Sequence, residues 1–160
     1  MLLSVTIPAV YAKGPTGKAV KSNNQRINLF EKTPSGDWPI VENGAWGKMK
    51  YNMKSGKFVF NGHGLEVGEE YNLINFARND TEWPATINIL DAGKTNPGGN
   101  IHITGNFVGD LEPDTSPGAD DSGAKIWLVL SADITLGPDQ IVGWNPERYL
   151  FEDTLIEFPI

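Results

Sequence analysis

The chain has 160 residues, a formal charge of −7, no cysteine, and 39% apolar against 21% charged residues. That balance is globular rather than disordered, and the length fits one domain whose core needs no staples. The negative charge argues against a general nucleic-acid binder, and the missing cysteines exclude thiol nucleophiles, disulfides and thiolate metal sites without fixing a compartment.

The charge is uneven. Residues 1–57 hold nine Lys/Arg and three Asp/Glu, whereas residues 58–160 hold four and seventeen. Solvated faces account for such a split. So does a dipolar molecule whose basic part attracts an acidic partner.

Met1–Ala12 has two readings. It ends in Val10-Tyr11-Ala12, a small-x-small pattern of the kind a signal peptidase cuts, but it lacks a basic leader. It also alternates Leu3, Val5, Ile7 and Ala9 against Ser4, Thr6 and Pro8, the period of a strand. The favoured reading is an export remnant; the alternative is an N-terminal strand exchanged between subunits. The segment is too short and too polar to span a membrane. Residues 13–24, rich in Gly, Lys, Ser and Asn, read as a linker, and the folded domain is expected over residues 25–160.

Gln25–Glu31 alternates as a first strand. Thr33–Asp37 is a turn, and Trp38–Val41 is expected to be extended because Pro39 disfavours a helical residue before it. Ala45–Asn52 is a strand with Gly47, Met49 and Tyr51 on one face and Trp46, Lys48 and Lys50 on the other. Lys54-Ser55-Gly56 turns into Lys57–Asn61, where Phe58 and Phe60 share a face. Tyr71–Phe76 and Thr86–Leu90 are further strands around a polar loop, Arg78–Pro84, and Asp91–Gly99 reads as a turn-rich connection. Asn100–Phe107 alternates Ile101 and Ile103 against His102 and Thr104. Ile126–Leu130 has five consecutive apolar residues, so neither face is polar; it should be the central strand, covered on both sides. Trp144–Phe151 suggests a short helical turn with Asn145 as cap and Pro146 at its first position. Thr154–Phe158 closes the chain as a last strand. The expected fold is all-β, a single antiparallel β-sandwich of about eight strands with one short helical turn near the C-terminus.

Six stretches occur together: Asp37–Val41, Gly44–Gly47 with Tyr51-Asn52, Phe60–Leu65, Gly98–Ile103, Gly123–Val129, and Trp144-Asn145-Pro146 with Tyr149–Glu152. In them the chain, over about residues 25–160, resembles a family of small exported domains of archaeal and bacterial cell-surface proteins. The resemblance implies export and a β domain. It supplies no catalytic residues to carry over.

Five tryptophans are many for this length. Trp127 is core by position, and Trp38, Trp83 and Trp144 flank prolines as loop anchors. Trp46 is the best exposed candidate, with Trp83 second, for stacking on sugar rings or a protein. Asp110, Glu112, Asp114, Asp120 and Asp121 form an acidic stretch that could hold calcium, although it lacks the EF-hand spacing; a solvated loop explains it equally. His63 and His102 could ligate zinc or copper with a carboxylate, or each make one hydrogen bond. Asn79-Asp80-Thr81 is an N-glycosylation acceptor for an exported chain. No Gly-x-Ser-x-Gly elbow or phosphate loop is present. The sequence therefore reads as a non-enzymatic extracellular or cell-surface domain that binds or assembles with surface proteins or copies of itself. Its alternatives are a carbohydrate-binding module and a subunit of a strand-exchanged filament. No resident cofactor is expected.

Overall fold

Strands β1 (Asn24–Phe30), β2 (Trp46–Asn52) and β3 (Lys57–His63) follow one another as an antiparallel meander in which alternate residues are buried. The strict period of two in their sequences requires this: Ile27, Met49, Phe60 and then Ile103 face each other across the strands and are all buried. The computed structural model describes residues 23–76, 83–107, 109, 111–114 and 123–157. The remaining strands are β4 (Glu70–Asn75), β5 (Ala85–Thr86), β6 (Asn88–Lys94), β7 (Ile101–Asn106), β8 (Gly123–Ala124), β9 (Ile126–Leu130), β10 (Ile134–Thr135), β11 (Gln140–Ile141), β12 (Leu150–Glu152) and β13 (Ile156–Glu157).

The fold is all-β and antiparallel. Eight strands form one long sheet in the order β6-β4-β9-β12-β1-β2-β3-β7. The sheet curls until its edges meet: a Cβ placed on Gly93 of β6 would lie 2.9 Å from Ile103 of β7. No backbone ladder joins these two edges among the described residues, so the closure is made by side chains. Leu73, Leu128 and Leu150 stand in one register row inside, all buried. The outer side of β4 and β9 is covered too, since Ile74 and Val129 are fully buried. Ala85 and Ile141 of the small sheet β10-β11-β5 belong to the same hydrophobic cluster. β9 is thus central and closed on both faces, as its unbroken apolar run requires.

Local departures have physical causes. Trp38 is not extended; its φ is +52°, in the left-handed region. The 33–39 loop folds back on itself through the Thr33 N–H to the Pro39 carbonyl, and Lys32 bridges Ile40. The tertiary position of the Trp38 ring then outweighs the backbone preference before proline. Asp91–Lys94 is not a turn but the second half of β6, paired with β4 across a register shift at Leu73/Ile74. Its weak strand formers are held by the ladder. Near the C-terminus the helical turn is only the 3-10 turn Pro146–Arg148, and Asn145 makes no capping bond. Leu150 and Phe151, expected in that turn, instead form β12, the strand between β9 and β1.

The segment 1–12 with Leu3, Val5, Ile7 and Ala9, most of residues 13–24, and Asn79, Asp110, Asp120 and Asp121 lie outside the described residues. No helix of the described residues is long and apolar enough to cross a membrane.

Candidate functional site

The outer face of the long sheet carries an aromatic row that register alone produces. Trp46 stands opposite Phe30, Phe30 opposite Phe151, Phe151 opposite Trp127, and Trp127 opposite Ile74. Each of these residues is out of phase with its strand's inward set, so all point the same way. Rings from the connections land on one end of the row. Phe76 stacks on Trp127 at 4.2 Å, and Trp38 meets Phe151 edge-on at 5.2 Å. Trp144 is the hub, with ring centroids 6.2 Å from Trp38, 5.5 Å from Trp83, 6.0 Å from Trp127 and 5.6 Å from Tyr149. Edge-to-face pairs of this kind are favourable beyond the area they bury. Yet Trp83 and Trp144 keep 45% and 44% of their surface exposed.

The loop bearing Trp144 is fixed by a buried polar hub. Asp133, 7% exposed, accepts both oxygens' bonds from the Asn145 side-chain amide at 3.0 Å, and the Tyr149 hydroxyl donates to it as well. Its backbone carbonyl accepts the N–H groups of Val142 and Gly143. Position 143 must be glycine, because a Cβ there would fall 2.1 Å from Asp133 Oδ1. Burial, and then the bond to Asp133, push the Tyr149 hydroxyl well above the ordinary tyrosine range, so it stays a donor. The Trp83 indole N–H donates to the Val142 carbonyl at 2.8 Å, tying a second tryptophan to the same loop.

The two tryptophans singled out by sequence therefore lie at opposite ends of one aromatic region. Trp46, 41% exposed, packs against His63 with ring centroids 4.7 Å apart. His63 and His102 lie on the adjacent strands β3 and β7, and an asparagine engages each ring. The Nδ1 atoms lie 2.8 Å from Asn100 Oδ1 and 2.7 Å from Asn61 Oδ1 respectively. Of the acidic stretch, Glu112 and Asp114 are described. Glu112 exchanges backbone bonds with the Asn75 side chain, and Asp114 is buried against Lys125 at 2.9 Å. Among the described residues no three His, Asp or Glu side chains come together as a metal site.

Sequence reasoning missed Trp38, Trp144 and Phe76 as a joint surface. Their neighbouring prolines and glycines signal loops but not which loops converge. It also missed Glu152. This carboxyl points inward beside Leu29 and Leu150, and its Oε2 is shielded from solvent with no hydrogen-bond partner among the described residues. Burial pushes it up to about 7, against the opposing pull of its own backbone N–H and of Lys32 and Lys125.

Comparison of the chain with protein-family models, with curated proteins and with solved structures finds no match.

Proposed function

We propose that this chain is a non-enzymatic, exported cell-surface domain that binds carbohydrate on its aromatic outer face. One observation carries the reading: Trp83 and Trp144 are locked by hydrogen bonds and ring contacts, yet remain nearly half exposed. Buried packing alone does not need such a surface. Rigid, partly exposed indoles present apolar faces to the C–H side of sugar rings at little entropic cost. Export is supported by the apolar start of the chain and by the resemblance to surface domains. A glycan array probed with the full chain tests the reading. Binding lost in Trp83→Ala and Trp144→Ala, with the fold retained by circular dichroism, supports it; binding to no glycan removes it.

Assembly is a second reading, favoured by the β6–β7 seam. Those strands touch through side chains and no ladder joins them among the described residues, so this seam is where an added strand would have to enter. The alternating Leu3/Val5/Ile7/Ala9 face has the pattern such a strand needs. A native mass of one chain at micromolar concentration, or a mature chain that starts after Ala12, ends this reading.

A further inference from the structure

The outward positions of β1, β2, β3 and β7 carry no Asp or Glu, in a chain whose net charge is −7. They carry Arg26, Lys48, Lys50 and Lys57. Arg26 and Lys50 are directly opposite each other across β1 and β2. Like charges in that relation repel at a Cα separation of about 5 Å, and an acid in either position would relieve it. Among the described residues none of the four cations has a salt bridge. At the border of this face Asp153 is engaged by Asn28, which donates to it from its backbone and its side chain.

The cations are interleaved with neutral amides. Asn24 and Asn52 bond to each other across the strands, and Asn61 lies beside Lys48. At the end of these strands a cleft of about 790 Å³ is lined by Arg26, Lys50 and Lys57 and by Tyr51, Phe58 and Val59. At the other end of β2 the face runs into Trp46 and His63.

We infer that this face binds an acidic polysaccharide, one bearing carboxylate or sulfate groups along a chain of sugars. The inference rests on the carbohydrate reading above and extends it to a second, charge-selective surface. Its parts match that chemistry. Spaced cations meet spaced anions, amides meet hydroxyls, and Trp46 offers a ring at the end of the track. A nucleic acid fits less well. The row opened by Arg26 and Lys50 continues through Val59 and Thr104, with no aromatic ring on which bases stack.

The test uses the full chain with alginate, dextran sulfate, neutral dextran and a single-stranded oligonucleotide, read by equilibrium binding at several salt concentrations. Alginate or dextran sulfate should bind at least about tenfold tighter than neutral dextran, with affinity falling as salt rises. Arg26→Glu with Lys50→Glu should remove that preference. Lys48→Gln and Lys57→Gln should each lower the salt slope by about one, while circular dichroism stays unchanged. Equal binding of acidic and neutral dextran, an unchanged preference in Arg26→Glu/Lys50→Glu, or tighter binding of the oligonucleotide each overturns the inference. Glycan binding that depends on Trp144 but not on these cations overturns it while sparing the aromatic reading; loss of both defeats that reading as well.

Discussion

The side-chain amide of Asn145 reaches both carboxylate oxygens of Asp133 at 3.0 Å, and this contact ties the Trp144 loop to the chain just before β10. Removing Asp133 leaves the Asn145 amide and the Tyr149 hydroxyl without their shared acceptor in a buried site. Asp133→Ala should therefore cost about 2–4 kcal/mol, and Tyr149→Phe, which removes the donor to Asp133 and the acceptor of the Asn145 N–H, about 1–2 kcal/mol. Denaturant titration at constant m-value measures both. Trp144 should also become wetter, so the emission of Asp133→Ala should shift to the red. A loss below 0.5 kcal/mol, on the scale of an ordinary surface change, would contradict the hub.

Gly47 faces inward, and a Cβ on it would lie 2.3 Å from the Phe60 ring, whose Cα neighbour across the strands is Met49. Phe60 is fully buried and cannot swing away. Gly47→Ala should therefore destabilise by about 1–3 kcal/mol through overpacking, although alanine is the better chain former. Phe60→Leu in the same chain should recover part of that loss. A double-mutant cycle with no coupling would show that the ring does not rest on this glycine.

How much of this was legible beforehand depended on how local the signal was. The alternation of Met49 and Tyr51 against Trp46 and Lys50, and the unbroken run Ile126–Leu130, sit within single strands, so they gave strand identity and burial directly. The exposed Trp46 followed from the same parity. Asp91–Lys94 was hidden because Asp, Gly and Lys are poor strand formers, and only the β4 partner shows why they pair. The Trp38–Trp144–Trp83 cluster joins connections far apart in the chain, and the Glu152 carboxyl is shielded only because β12 lies between β9 and β1. Neither relation has a sequence signature. The carboxylate-free face was visible only as the lysine excess before residue 58, since assigning it to one face requires the register.

Arg148 donates to Glu66 through Nε and Nη2 and lies 3.5 Å from Glu69. This guanidinium holds the Glu66 carboxyl below its ordinary value. A depressed carboxylate contributes stability that is present above its ordinary value of 4.5 and is lost as pH falls through its lower folded value. The groups are well exposed, so screening keeps the contribution below about 1 kcal/mol. Arg148→Ala should thus cost a few tenths of a kcal/mol at pH 7 in low salt, less in 1 M salt, and nothing once Glu66 is protonated in both states. A larger loss that ignores salt would mean that the arginine stem, and not its charge, carries the contact.

Glu152 should give the chain the opposite pH response. Its folded value of about 7 lies above the ordinary 4.5, chiefly because burial disfavours the charged form. Between those values the folded chain binds a proton that the unfolded chain has released. Stability therefore falls as pH rises through this window, is free of the penalty below about 4.5, and carries all of it above about 7. At 1.36 kcal/mol per unit the full penalty is on the order of 3 kcal/mol. Glu152→Gln keeps the shape and removes the ionisation. The variant should match the parent near pH 4.5 and exceed it by a margin that grows to pH 7 and then levels off. Urea titrations of both chains at half-unit pH steps measure that margin. A difference that stays constant with pH would show that the Glu152 carboxyl does not ionise inside the fold.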